Sequence, residues 1–332
     1  MTIYDIARLA NVSPAAVSRV LNNKPGVSQI KREAIQKIIE ENHFNVRRSK
    51  NISSSEIMNK KKIGILIDDP ISEYQSTGVT LFQTELFETG YQTVYRCVDQ
   101  RNNINDVLYD LHAMNVSAVV MMGYSFTNQK VISEAIQKYI RSVPTILVRQ
   151  NSTMGLDNVY YVGINERKGI TKCVDALVEH GRTKLALIMD RKLGEKSIFR
   201  YYFEQALLNY EGIKYYCYTD AEYSVEGGEK AADILYQEHP DIDGILCIRD
   251  KVAIGLVYGL QRKGLKIPED VSVIGKDNSN LCEVSNPQLT SLDSMLYDCS
   301  LMGVHLLLDV LNNKITTHGL LLDSNLVIRG TL

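Results

Sequence analysis

The stretch TIYDIARLANVSPAAVSRVLN, residues 2–22, decides how the rest of the chain is interpreted. Thr2 can cap a first short helix, and Ser13 followed by Pro14 is a strong signal for the start of a second one. Asn11, between them, suits the left-handed turn that joins two such helices. The residues predicted to face inward are Val17, Val20 and Leu21, and in a third helix Ile30, Ala34, Ile35, Ile38 and Ile39. This pattern predicts a helix-turn-helix, whose second helix would enter the DNA major groove.

The same stretch resembles the DNA-binding head of the lactose/galactose repressor family, where a segment like T-I-x-D-[IV]-A-x-x-A-[GN]-V-S-x-x-T-V-S-R-V-[LI]-N opens the chain. Ala16 stands where the family usually has Thr. The resemblance implies that Pro14, Ala15 and Arg19 face base edges in double-stranded, pseudo-palindromic operator DNA. It also implies contacts to backbone phosphates by Thr2, Tyr4, Ser13, Ser18 and Asn22. The alternative is an ordinary three-helix unit.

Charge is distributed unevenly along the chain. Up to Lys62 there are twelve Lys or Arg residues and five Asp or Glu residues, so this part carries +7. The whole 332-residue chain carries −2, and the remainder therefore carries −9. A basic segment on an acidic body is typical of a protein with a nucleic-acid-binding head. The length also exceeds that of one ordinary domain.

Residues 42–62, NHFNVRRSKNISSSEIMNKKK, are polar, basic and rich in serine, which predicts a linker. In the resembling family this segment holds a hinge helix that inserts a Leu into the minor groove. The family pattern Y-x-P-N-x-x-A-R-x-L is poorly kept, since Phe44 replaces the Tyr and Val46 the Pro. Arg47 and Arg48 can still contact phosphates or a narrow minor groove. A hinge helix and a flexible basic tether both remain open.

From Lys62 onward, apolar strands alternate with amphipathic helices. The predicted strands are 62–68, 91–97, 117–122, 144–148, 160–164, 184–189, 214–219, 243–248 and 271–275. The first predicted helix follows the first strand and ends near residue 89. The other predicted helices lie near 104–114, 128–140, 166–180, 197–211, 226–237, 250–262 and 295–313. Such alternation indicates parallel sheets covered on both faces. The rhythm restarts once, which predicts two doubly wound subdomains with a ligand site at the carboxyl ends of their strands. A last strand near 319–328 is expected to cross between the halves.

The part of the chain after Lys62 extends the resemblance over nearly the whole sequence. YVGINERKG and RDKVAIGLVYGLQRKGLKIPEDVSVIGKDN follow the family patterns V-G-V-D-N-x-x-G and N-D-x-x-A-x-G-x-x-x-x-L-x-x-x-G-x-x-[VI]-P-x-D-[VI]-S-V-[VI]-G-[FY]-D-[DN]. The resemblance implies a periplasmic-binding-protein-like effector domain, a clamshell that closes on a small molecule and forms a homodimer. The expected domains are a helix-turn-helix head at 1–46, a basic hinge at 47–62, and an effector domain at 63–332. Its subdomains are expected at about 63–162 plus 293–320, and 163–292 plus 321–332.

The family's effector-binding positions correspond here to Tyr74, Gln75, Arg149, Asn165, Phe199, Tyr223, Arg249 and Asp277, with Arg200 as a substitute for Phe199 if the alignment slips by one residue. Tyr223 would stack on a sugar face, and Asp277 would accept bonds from hydroxyls. Arg149 and Asn165 replace frequent acids, and Arg249 replaces an Asn, so the cleft is expected to be more positive than a neutral-sugar site. Because guanidinium groups suit carboxylates and phosphates, this favours an anionic sugar derivative. The alternative is that the arginines brace the clamshell by pairing with Asp250, Asp277 or Asp293.

No enzyme motif competes with this interpretation. P-loop, G-x-S-x-G and H-E-x-x-H patterns are missing from the sequence, and its six cysteines show no C-x-x-C spacing. We therefore expect no catalytic residues, metal ligands or cofactor, and buried free thiols. We also expect neither a signal peptide nor a membrane span, and a cytoplasmic location. The expected function is a sequence-specific transcriptional regulator, a repressor of carbohydrate-metabolism genes controlled by a sugar, sugar phosphate or sugar acid. The alternative is a sugar-binding protein or an enzyme on a similar α/β fold.

Overall fold

The computed structural model describes residues 10, 12, 17, 20, 27–41, 61–70, 73–99, 102–191, 197–314 and 317–332. The chain forms two compact units, Met1–Asn59 and Lys60–Leu332. Within these described residues, no helix is both long enough and apolar enough to cross a membrane.

The first unit contains the predicted third helix, α1 (Gln29–Glu41). Val17, Val20 and Ile35 are buried against one another, as the helical spacing predicts. Ala34 is exposed, so its inclusion in the buried stripe was wrong. Consecutive residues of a helix point about 100° apart, and Ile35 takes the inward direction. The partly buried residues around this small core are Ala10, Val12, Val27 and Ile38.

The second unit begins with a parallel sheet in the order β11-β5-β4-β3-β1-β2. Its strands are β1 (Lys62–Ile67), β2 (Gln92–Cys97), β3 (Ala118–Met122), β4 (Thr145–Val148), β5 (Val159–Ile164) and β11 (Gly319–Leu322). Its helices are α2 (Glu73–Glu88), α3 (Ile104–Ala113), α4 (Gln129–Tyr139) and, from late in the chain, α10 (Leu296–Leu311). A 3-10 turn, Tyr124–Thr127, precedes α4.

The second sheet repeats this order as β12-β10-β9-β8-β6-β7, with only β12 antiparallel to its neighbour among the described strands. Its strands are β6 (Lys184–Asp190), β7 (Lys214–Ala221), β8 (Gly244–Cys247), β9 (Ser272–Asp277), β10 (Thr290–Asp293) and β12 (Leu326–Val327). Its helices are α5 (Glu166–Glu179), α6 (Ile198–Leu207), α7 (Val225–Glu238), α8 (Asp250–Arg262) and α9 (Leu281–Val284). Two doubly wound sheets of matching order confirm the predicted α/β fold class.

Both sheets are buried on their two faces because successive strand residues point to opposite sides. In β1, Ile63, Ile65 and Ile67 pack into one core, whereas Leu66 packs into the core on the other face. In β6, Leu185 and Leu187 likewise face away from Ala186 and Ile188. Polar side chains cap the helices that cover these faces: Asn103, Asn128, Asn165, Ser197 and Ser224 each accept a bond from a backbone amide of the first turn.

The end of the chain crosses between the two sheets, as predicted. The sequence indicated one strand near 319–328, whereas the structure has β11 paired with β5 and β12 paired with β10. The sequence analysis also missed β10, a four-residue strand paired with β9. Short segments of this kind carry too few residues for a periodic signal.

Candidate functional site

The predicted DNA-contacting side chains lie outside the described residues. They are Thr2, Tyr4, Ser13, Pro14, Ala15, Ser18, Arg19 and Asn22 in the head, and Arg47 and Arg48 in the expected hinge. Their roles therefore stay predictions from the sequence.

In the second unit, the carboxyl ends of the strands bring charged side chains together. Arg149 follows β4, Arg249 follows β8, and Asp277 ends β9. The Asp277 carboxylate lies 3.5 Å from the Arg149 guanidinium through Oδ1 and 3.5 Å from the Arg249 guanidinium through Oδ2. Because β4 belongs to the first sheet and β8 and β9 to the second, Asp277 links the two halves.

Two further carboxylates complete this ion network. Arg149 also lies 3.3 Å from Glu166 at the start of α5. The Nε of Arg249 donates to Oδ2 of Asp190, the last residue of β6, over 2.8 Å. Asp190 and Arg249 are buried, so this ion pair is screened much less than a surface pair. Sequence reasoning missed both acids, although Asp190 ends a buried strand and Glu166 lies two residues after one.

Lys276 is the least expected member of the network. It is 1% exposed, and its Nζ lies 3.3 Å from Glu166 Oε1 and 3.9 Å from Asp277 Oδ1, with the Phe199 ring centroid 5.0 Å away. Nζ, Glu166 Oε2 and Asp277 Oδ1 are buried without a hydrogen-bond partner. An unsatisfied buried polar atom costs about 1–3 kcal/mol, and the ion pairs of Nζ and of Asp277 Oδ1 offset part of that cost here. The sequence offered a signal, because Lys276 occupies the aromatic position of the G-[FY]-D pattern.

The described ion pairs of the network join three cations, Arg149, Arg249 and Lys276, to three carboxylates, Glu166, Asp190 and Asp277. Both arginines contact Asp277, which is one of the bracing partners named in the alternative. The expectation that the cleft is more positive than a neutral-sugar site stays a prediction.

Asp250 lies behind the network. Its carboxylate accepts bonds from Ser291 Oγ and from the amide of Ser279, over 2.6 and 2.7 Å. Burial, and then the nearby charge of Asp277, raises the pKa of Asp250 above its ordinary value. Asp250 thus holds the loop after β9 in place. Its described bonds go to that loop and to β10, and not to the arginines, whereas the alternative had named it as one of their possible partners.

The structure places Gln75 and Asn165 in bonds that shape the cleft. Gln75 is buried, accepts from the amides of Asp68 and Asp69, and donates to the Asp68 carboxylate, so it fixes the loop after β1. Asn165 caps α5 and donates to Asp323. Tyr74 lies in α2, and its side chain is outside the described residues.

Phe199 and Arg200 point in different directions from α6. Phe199 is buried beneath Lys276, whereas Arg200 pairs with Glu204, which also accepts a bond from Tyr215 on the outer strand β7. The structure therefore brings Phe199 to the network and leaves Arg200 outside it. Tyr223 is half-exposed, with the Arg249 guanidinium 5.4 Å from its ring centroid.

A turn after β9 connects the network to a crossover between the sheets. Asp277 and Asn278 have φ angles of 118° and 51°, values that are costly for residues with a Cβ. Asn278 donates to the Asp293 carboxylate, which accepts from the amide of Met295, itself at a φ of 49°. The cleft acid and the crossover into α10 thus share one strained, hydrogen-bonded cluster.

The described residues contain no group of three or more His, Cys, Asp or Glu side chains placed to hold a metal ion. The network is built from carboxylates paired with ammonium and guanidinium groups. Its chemistry suits the binding of a polar ligand through hydrogen bonds.

Comparison with known proteins finds a family match within each of the two units. Residues 2–45 match the family "Bacterial regulatory proteins, lacI family", and residues 174–332 match the "Periplasmic binding protein-like domain". Catabolite control protein A of Staphylococcus epidermidis is 27% identical over 347 residues, covering 100% of this chain and 99% of that protein.

Two solved structures share the fold. A lac repressor dimer bound to operator and the anti-inducer ONPF has a TM-score of 0.75 at 20% identity, covering 100% of this chain and 98% of that one. The complex of the transcriptional regulator CelR with cellobiose has a TM-score of 0.68 at 22% identity, covering 100% and 99%. The family match distinguishes the chain from sugar-binding proteins and enzymes of similar fold. The chain belongs to the lacI family of bacterial regulatory proteins, as a DNA-binding transcriptional regulator.

Proposed function

We propose that the chain is a cytoplasmic homodimeric repressor that binds a pseudo-palindromic operator and is controlled by a small carbohydrate in the cleft of its second unit. The observation that carries the proposal is the ion network at the carboxyl ends of both sheets, in a chain with a lacI-type head. A ligand that binds there contacts both halves at once. It would thereby change their relative orientation, and with it the spacing of two heads in a dimer.

The proposed domains are the head at 1–46, the hinge at 47–62 and the effector domain at 63–332. The size of the coupling expected between ligand and operator is about 1–3 kcal/mol, which corresponds to a change in DNA affinity of roughly 5- to 150-fold. Relatives of this fold occur in complexes with operator and with cellobiose, which supports both kinds of partner.

The DNA-binding half of the proposal is tested with the full chain. Duplexes are selected from a random library, and the enriched sequence then competes against random DNA in an anisotropy assay. Arg19→Ala should lose this preference, because a bidentate Arg–guanine contact is worth about 1–3 kcal/mol of discrimination. Salt-sensitive background binding should remain, since phosphate contacts supply it.

The control is Tyr4→Phe, which removes one proposed phosphate contact. It should weaken binding to selected and random duplexes by the same factor. If the wild type enriches no sequence, or if Arg19→Ala still prefers the selected duplex, the proposed docking of the head is refuted. Sedimentation of the wild type as a monomer at micromolar concentration would refute the homodimer.

A further inference from the structure

We propose that Arg149 holds the two halves of the second unit in one relative orientation when no ligand is bound. Its contacts with Glu166 and Asp277, named here the Arg149 bridge, thereby set the operator affinity of the ligand-free regulator. The inference rests on the proposed function, and it deepens that proposal by naming how the same cleft is regulated. Arg149 is a positioning residue in this role, because it acts on DNA binding through the orientation of the halves.

The first step is that one guanidinium contacts acids of the other half. Arg149 follows β4, a strand of the first sheet. Its Nη1 lies 3.5 Å from Oδ1 of Asp277, which ends β9 of the second sheet. Its Nη2 donates over 3.3 Å to Oε1 of Glu166, the first residue of α5, and the apolar residues of α5 pack against strands of the second sheet. A single cation of one half is thus tied to two carboxylates of the other.

The second step is the burial of the bridge. The side chains of Arg149, Glu166 and Asp277 are 11%, 18% and 19% exposed. Partly buried ion pairs are screened much less by salt than surface pairs, which contribute little. The bridge is therefore strong enough to oppose a change in the relative orientation of the two sheets.

The third step is the position of the bridge beside the crossover from β10 to α10. Within this crossover, the Ser294 amide donates to the backbone carbonyl of Asp277 over 3.4 Å. Helix α10 then returns to the first half, where its residues share one core with Val148 of β4, the residue before Arg149. The bridge and the crossover therefore connect the same parts of the two halves, so a movement of one changes the other.

The fourth step is the backbone conformation at both ends of the bridge. Arg149 has a φ angle of 61° and Asp277 one of 118°. Such angles are costly for residues with a Cβ, and they persist only where the surrounding contacts impose them. Loss of the bridge would let the turn after β9 relax, and the crossover that is bonded to Asp277 would move with this turn.

The experiment is a double-mutant cycle on the full chain without ligand, made of Arg149→Met, Asp277→Asn and the double variant. Because Arg149 has a further partner besides the two acids, the cycle is needed to isolate the interaction that it shares with Asp277. Anisotropy measures affinity for the duplex that the wild type selects. Each single variant should change this affinity in the same direction by roughly 5- to 150-fold. The double variant should fall short of the product of the single effects by about fivefold or more.

Hydrogen exchange of the ligand-free chain gives a readout that needs no DNA. The amides of Asn278, Ser294 and Met295 are all hydrogen-bonded around the crossover, and they should exchange about tenfold faster in Arg149→Met. Arg149→Lys keeps the charge but lacks the two-nitrogen fork that reaches both acids, so its effects should be intermediate. The matched control is Arg262→Met, because the ion pair of Arg262 with Glu229 lies between two helices of the second half. It should change neither operator affinity nor exchange.

Each outcome decides the question. Coupled effects on operator affinity with faster exchange, and no effect of Arg262→Met, support the inference. Single effects that multiply to give the double effect overturn it, as does operator affinity within about twofold of wild type in both single variants; control of the regulator by a ligand then still stands. If the wild type selects no duplex, the proposed function fails, and unchanged exchange in Arg149→Met would overturn the bridge separately. If Arg149→Met or Asp277→Asn does not fold, Arg149→Lys or Glu166→Gln takes its place in the cycle.

Discussion

Replacement of Arg249 by Met tests whether the cleft network is a buried structural unit. Arg249 and Asp190 have side chains that are 10% and 2% exposed, and their atoms lie 2.8 Å apart. The substitution keeps the apolar stem but removes the guanidinium that neutralises the Asp190 carboxylate. Asp277, in contrast, keeps its contacts with Arg149 and Lys276.

The size of the effect follows from this burial. Removal of one partner from a buried ion pair costs about 3–5 kcal/mol, mainly because the remaining charge stays desolvated. For a unit of this size, each kcal/mol lowers Tm by roughly 2–4 °C, so we expect a fall of roughly 6–20 °C. The double variant Asp190→Leu, Arg249→Met should recover most of this loss, since an apolar pair of similar volume replaces a buried ion pair at little cost.

A thermal melt of the full chain followed by circular dichroism measures this. The matched control is Arg191→Met, because Arg191 is the next residue after Asp190 and pairs with Asp220 in water, at 63% and 62% exposure. No measurable change is expected there, since exposed ion pairs contribute little. Equal effects of Arg249→Met and Arg191→Met, or no recovery in the double variant, would refute the reasoning.

Three other predictions follow from the same unit. Gly228→Ala should lower stability by about 1–3 kcal/mol in a urea titration, because the new Cβ would overlap the Val252 carbonyl oxygen and lie 2.7 Å from the Leu256 amide nitrogen. Asn278→Ala should destabilise more than Asn278→Gly, since both lose the bonds to Asp293 and Arg329 but only Ala bears the cost of a positive φ; equal melting temperatures would contradict this. Burial raises the pKa of four thiols, those of Cys173, Cys247, Cys282 and Cys299, to about 12. At pH 8 Ellman's reagent should therefore label these four slowly in the native chain, whereas it should label all six cysteines rapidly in urea.

Much of the fold was predictable because its signals are local. Apolar runs such as 62–68 and 184–189 indicate buried strands, and their spacing by amphipathic helices indicates parallel sheets. Arg149 and Arg249 were assigned to the cleft by the resemblance to the family, and each directly follows a predicted strand. Of their partners, Asp277 was considered from the sequence, but Asp190 was not, since Asp190 and Arg249 are 59 residues apart and meet only after β6 and β8 pair.

The sequence by itself determined the architecture: a helix-turn-helix head and two doubly wound sheets whose strand ends face a cleft. Only the tertiary structure decided the chemistry of that cleft. Strand β9 was predicted to end at Gly275, but pairing with the unpredicted β10 extends it through Lys276 to Asp277. Lys276 is thereby buried opposite Leu292, beside Glu166. The burial of Lys276 among these ions depends on this pairing, because long-range register decides which ions share a buried space, whereas local sequence decides only which residues form strands.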